Sequence, residues 1–377
     1  MGENMTTSFS SNKTPYHFAE GNKPTGQIDF NSLFLIAFLF FHTMGCEASL
    51  DRAGPGRNAE TSSDTAGDDT VGTSTIADSA EDTSSPASRC DEQLPVNDVT
   101  PCSEKGIEIQ PPWDEHYSCV NLGPIPNVPP EWGGLTLHPN DQNALLIGGN
   151  SNEESGKLYK VGITRDSDCH ITGFSPSPTT VFSSAKYNDG GIAFGSSGVL
   201  FLARWPVNQI GQLLPGSTVE DKVIDLEPLN ITSSPGGLGF VPTGFAGEGD
   251  LKTVSWPSGD WFTLTLAPDV NGTFDITGVT KDTTIPGGPE GFVYINQDNF
   301  GFGVDSILVA EWTDNNIAAY ESDSLGNPSP LTRKEFVLGL DGAEGAIIDP
   351  HSGDFLFITW GGAEILIAIR GFHPPVL

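Results

Sequence analysis

An all-β fold made of a ring of similar sheets is predicted by three observations. One phrase recurs five times after residue 130: a glycine among small residues, an apolar strand, a short turn and a second apolar strand. The copies begin at Gly134, Gly191, Gly237, Gly291 and Gly345, and four of the second strands run to a tryptophan, Trp205, Trp256, Trp312 and Trp360. The chain is also dense in turn formers, with 45 glycines and 29 prolines, as a strand protein with many short connections requires. A strand-built period of about 50 residues denotes a toroidal array of four-stranded sheets, a β-propeller. Five blades account for the copies, with six as the alternative count.

The strands follow in order. In the second repeat Gly191–Phe194 is the innermost strand, Gly198–Arg204 the second, Asn208–Leu213 the third and Lys222–Leu226 the outermost, with Pro206 and Pro215-Gly216 as punctuation. The third repeat runs through Leu238–Val241, Leu251–Trp256, Trp261–Leu266 and Phe274–Val279. The fourth uses Gly291–Ile295, Ser306–Trp312, Ile317–Glu321 and Lys334–Leu338. The fifth holds only Ala346–Asp349, Phe355–Trp360 and Glu364–Ile369. Its fourth strand is expected from His116–Leu122, an N-terminal strand that closes the ring and removes exposed sheet edges. The gap of 57 residues between Gly134 and Gly191 is the widest, so any irregularity belongs there.

Three segments precede or form this domain: a leader over residues 1–45, a tether over 46–88 and the propeller over 89–377. Leu33–Phe41 is an unbroken apolar run, about half the length that spans a hydrocarbon core, and reads as a signal-peptide core. The following His42-Thr43-Met44-Gly45-Cys46 resembles the lipobox of bacterial lipoproteins. That resemblance implies acylation at Cys46 and an exported protein anchored in a membrane, facing the periplasm or the cell exterior. An ordinary cleaved signal peptide with Cys46 incidental is the alternative. From Glu47 to about Ala87 the chain is Ser, Thr, Asp, Ala and Gly, too poor in large apolar groups to offset its ordering entropy, so a disordered acidic tether is expected.

Net charge is −32 with 17 basic residues. Nucleic-acid binding needs Lys or Arg to displace phosphate counterions, so nucleic acid is excluded as a partner. Anionic lipid headgroups are repelled as well, which leaves the anchor as the route to a membrane. Beyond Cys46 the chain has four cysteines, Cys90, Cys102, Cys119 and Cys169, an even number that suits two disulfides in an exported chain. Of three connectivities, Cys90 with Cys102 and Cys119 with Cys169 is preferred.

In a propeller, the loop leading into the innermost strand and the loop between second and third strands share a face. That face collects Asp189, Glu290 and Glu344 from the first set of loops and Asn208, Asp314 and Asn315 from the second, beside Trp205, Trp256, Trp312 and Trp360. Carboxylates, amides and indoles around a central depression suit a polar ligand or a cation. The tryptophans are better read as plugs between blades, and most loop Asn and Asp as ordinary turn residues. Glu290 and Glu344, large acids directly ahead of inner strands, resist that explanation and are the candidates for a functional or metal-binding role.

Pro289-Glu290-Gly291 and Ala343-Glu344-Gly345 resemble the Glu-Gly approach to blades in calcium-dependent propeller hydrolases of the senescence-marker/gluconolactonase type and in NHL-like propellers. In those hydrolases such a glutamate binds the metal with Asn and Asp of other blades. The resemblance implies metal binding by Glu290 and Glu344, with Asp314, Asn315 or Asn208 as companions, and lactone hydrolysis by a metal-bound water. No Gly-x-Ser-x-Gly turn, phosphate loop or dinucleotide fingerprint accompanies it. Asp269–Gly272 and Asn296–Asn299 are read as turns, because neither continues to an EF-hand glutamate. The leading expectation is therefore a lipid-anchored propeller that binds a small molecule or protein without catalysis. A calcium-dependent lactonase or esterase is the alternative.

Overall fold

The repeats fold as five antiparallel sheets in a computed structural model that describes Cys90, residues 100–361 and residues 363–375. These residues belong to the compact unit Ala80–Leu377. The predicted leader, Cys46 and the tether lie outside the described residues, among which no helix is long and apolar enough to cross a membrane.

From axis to rim, the second blade comprises Asn188–Phe194, Leu200–Arg204, Gln209–Leu213 and Lys222–Asp225. The third comprises Pro235–Phe240, Leu251–Ser255, Asp260–Pro268 and Phe274–Thr284. The fourth comprises Pro289–Ile295, Ser306–Glu311, Asn316–Glu321 and Lys334–Leu338, extended at the rim by Glu108–Ile109. The fifth takes Ala343–Ile348, Phe355–Thr359 and Leu366–Arg370 from the C-terminal end of the chain. Ser118–Gly123 adds to it, pairing Ile369 with Cys119 and Ala368 with Val120.

The first blade carries the irregularity expected from the wide glycine spacing. Its three inner strands, Leu135–His138, Asp141–Gly149 and Lys157–Arg165, are regular. Two short strands then share the rim position, Ile171–Phe174 against one end of Lys157–Arg165 and Thr180–Ser184 against the other.

Second strands such as Leu200–Ala203 and Phe355–Ile358 read as apolar runs because they are buried on both faces between neighbouring blades, and in the third blade Lys252 and Thr253 are buried there too. Side chains alternate across a strand. Phe355 and Phe357 therefore pack toward the fourth blade with Leu308, Ala310 and Phe336. Leu356 and Ile358 pack toward the first with Leu145 and Ile147. The remaining apolar clusters fill the other three seams in the same way. Each fully buried Leu, Ile or Phe contributes about 1.5–3 kcal/mol.

At the axis, side chains give way to backbone. A Cβ on Gly134 would fall 2.5 Å from Ile192, on Gly191 2.2 Å from the Leu238 nitrogen, and on Gly237 2.0 Å from the Glu290 carbonyl oxygen. On Gly291 it would fall 2.5 Å from the Ala346 nitrogen, and on Gly345 2.5 Å from the Gly133 carbonyl oxygen. Each repeated glycine thus permits contact with the next blade, around all five seams.

The disulfides correct the preferred pairing. Cys102 joins Cys119 and Cys90 joins Cys169, with Cα separations of 5.4 and 5.3 Å. The reason is register: Thr100 pairs with Asn121 and Pro101 with Val120, which carries Cys102 opposite Cys119. Sequence spacing contained no sign of that short strand pair.

Candidate metal centre

One hydrogen bond recurs where each second strand ends. The N–H groups of Asn150, Trp205, Trp256, Trp312 and Trp360 donate to the carbonyls of Pro130, Tyr187, Ser234, Gly288 and Gly342, at 3.1, 2.9, 3.2, 3.0 and 2.6 Å. These bonds fasten the turn after the second strand to the lead-in of the innermost strand in every blade. The two sets of loops consequently lie together.

Ladder shifts occur where the inner strands of the second to fifth blades begin. Such bulges turn a side chain out of the regular alternation. Directly ahead of the axial glycines stand Gly133, Gly190, Gly236, Glu290 and Glu344, with Asp189 one residue earlier in the second blade. Small residues on one side of the ring leave space that the acids on the other side fill. An added Cβ on either Gly190 or Gly236 would lie 2.7 Å from Glu290 Oε2.

One carboxylate oxygen from each of Asp189, Glu290 and Glu344 lies within 4.8 Å of the other two. Their residues are 2%, 1% and 0% exposed. Carboxylates so close remain charged together only with a counter-charge among them, and otherwise share protons. An all-oxygen donor set from three carboxylates matches a hard divalent cation such as calcium or magnesium. The donors and the glycine cradle around Glu290 both fit such an ion.

Of the residues read from sequence, Asp189, Glu290 and Glu344 are brought together. The expected companions make contacts of their own. Asn208 donates from Nδ2 to the Ile231 carbonyl at 2.8 Å, and Asn315 Oδ1 accepts the Gly342 N–H at 3.0 Å. Asp314 is exposed and stands 3.5 Å from the Arg333 guanidinium. Asp189 takes the third position because the second-blade bulge turns it inward, which a list of loop residues does not reveal. Sequence reading also missed Asn188, fully buried, which accepts from Ser151 Oγ at 2.9 Å and donates to the Ala185 carbonyl at 2.8 Å. Its signal was only a second small polar residue ahead of the Gly190-Gly191 pair.

The indoles bridge blades. Trp205 meets Trp256, and Trp256 meets Trp312, edge to face at 5.8 Å. Trp256 also reaches over Gly288 of the next blade, and Trp312 over Gly342. Trp360 is buried, the other three half-buried. The two acidic turns are turns: Asp269 accepts from the Asn271 and Thr273 N–H groups, and Asn296 from that of Asp298.

No family model matches the sequence, and no curated protein matches it. Solved structures with a similar fold include an auxiliary nutrient-binding protein from Bacteroides ovatus, at 10% identity and a TM-score of 0.39, covering 68% of this chain and 76% of that one. A glutaminyl cyclase from Myxococcus xanthus is similar at 11% identity and a TM-score of 0.39, covering 70% and 95%. A candidate gluconolactonase is similar at 12% identity and a TM-score of 0.37, covering 72% and 88%.

Proposed function

We propose that this is an exported, lipid-anchored binding propeller that holds a hard divalent cation, calcium by preference, through Asp189, Glu290 and Glu344. The observation that carries this reading is the convergence of three buried carboxylates from three blades. Two disulfides are in keeping with an oxidising, extracytoplasmic location. Anchoring rests on the lipobox-like segment ending in Cys46.

In this reading the ion ties the second, fourth and fifth blades together and presents a fixed positive centre to a ligand. Calcium titration of the thermal unfolding of the full chain tests it. A ligand bound only by the native state stabilises by about 2.7 kcal/mol at a hundred times its dissociation constant. A rise in melting temperature that saturates with calcium and vanishes in Glu290→Gln and Glu344→Gln supports the proposal. An unchanged melting temperature in the wild-type chain overturns it. For the anchor, Cys46→Ser should move the protein from the membrane to the soluble fraction, and continued membrane retention removes Cys46 as its basis.

The same convergence favours a second reading, a metal-dependent lactonase or esterase, since hydrolysis also requires carboxylates aimed at a common centre. When bound, the ion would supply a polarised water. Calcium-dependent turnover of a lactone or ester panel, lost in Glu344→Gln, would promote this reading above the first.

A further inference from the structure

Beyond the acids, toward the opposite face, the inner strands line a cavity of about 660 Å³. Its walls begin with the residue after each axial glycine, Leu135, Ile192, Leu238, Phe292 and Ala346, and continue to the far ends of the inner strands. Phe194, Phe240, Ile347 and Ile348 contribute only half-buried side chains and so keep apolar surface turned to the space. Tyr294 offers its ring alone, because its hydroxyl donates to the Gly326 carbonyl at 2.8 Å. Polar groups collect at the mouth. Asn299 Oδ1 accepts the His373 N–H at 2.8 Å and pins the C-terminal segment there, near Thr243 and the exposed Asp298.

We propose that this cavity is a binding site for a single amphiphile with an apolar, ring-bearing or chain body and a neutral or cationic head. Its volume lies within the range of small-molecule sites. Water in the apolar stretch lacks the two to four polar partners that hold buried water, whereas an apolar body removes the walls of Phe194, Phe240, Ile347 and Ile348 from solvent. The polar rim receives the head. Its sign follows from Asp298 at the mouth and a net charge of −32, which repel an anion. The site stands apart from the carboxylate centre and does not depend on it.

Titration of the full chain with the neutral fluorophore N-phenyl-1-naphthylamine, in the presence of a chelator, tests the proposal. Saturable binding at one site is expected. Ala346→Phe fills the cavity and Thr243→Trp obstructs its mouth from an exposed loop, so each should weaken binding by about tenfold or more. Leu331→Ser removes an apolar side chain that is 98% exposed and should leave binding unchanged. Binding that does not saturate, or that keeps its affinity in the folded cavity variants, overturns the site. If Ala346→Phe loses its unfolding transition, Thr243→Trp alone decides. Dodecylamine should displace the fluorophore more strongly than dodecanoate, and equal or stronger displacement by dodecanoate overturns the assigned head group.

Discussion

Arg165 and Asp349 form an ion pair across the seam between the first and fifth blades, with side chains only 1% and 0% exposed. The guanidinium also donates to the Cys169 carbonyl at 2.6 Å and to the Gln142 carbonyl at 2.8 Å. The carboxylate also accepts from Ser352 Oγ at 3.0 Å and from the His351 N–H at 3.1 Å. Removing one partner of such a pair strands a buried charge, at about 3–5 kcal/mol. Asp349→Ala should therefore destabilise by that amount in urea denaturation. The double variant Arg165→Met, Asp349→Leu should lose less than either single variant. A loss below about 1 kcal/mol in Asp349→Ala would show that the pair does not hold the seam.

Gly237→Ala places a Cβ 2.0 Å from the Glu290 carbonyl oxygen, where only backbone can yield. We expect a loss of about 1–3 kcal/mol or more, the usual range for overpacking. Gly303→Ala meets no atom within 4 Å and should be nearly neutral. Equal melting temperatures for the two variants would mean that the axial contacts are looser than described.

His170 Nδ1 lies 2.7 Å from the fully buried Asp354 carboxylate, and that hydrogen bond holds the imidazole above its ordinary value of 6.5 despite partial burial. A pKa raised on folding contributes stability that is fully present below the unfolded value and is lost as pH rises through the folded value. The stability difference between wild type and His170→Gln should therefore be largest near pH 5 and shrink toward about pH 8. Denaturant midpoints across that range measure it. A difference that grows with pH would reverse the assignment.

Glu344→Gln should act differently in the two states of the candidate metal centre. With chelator present the amide replaces one member of a carboxyl cluster that shares protons, and should change the melting temperature little. With calcium present it should remove the stabilisation that the wild type gains. Calorimetry under both conditions distinguishes this from a simple packing defect, which would lower both.

The blades were legible because burial on both faces turns second strands into apolar runs such as Leu200–Ala203 and Phe355–Ile358. The axial glycines marked their period. Glu290 and Glu344 stood out because neither suits a turn. Asp189 was named only as one face residue among several, since its inward aim comes from a bulge and not from its neighbours in sequence. The disulfide pairing was hidden for a similar reason. Cys102 meets Cys119 through a two-residue strand, Thr100–Pro101, too short to leave a pattern. The cavity was invisible because its walls are the same Phe, Ile and Leu that elsewhere fill seams.

An axis in backbone contact around all five seams also sets where the sequence is free to change. The rim already differs from blade to blade: a divided strand in the first, an 11-residue strand in the third and a borrowed N-terminal pair in the fifth. The innermost strands all keep the axial glycine. Descendants of this chain could lengthen, split or redecorate their outer strands with little effect on the hub, so novelty in this architecture should accumulate outward, as growth does in a tree.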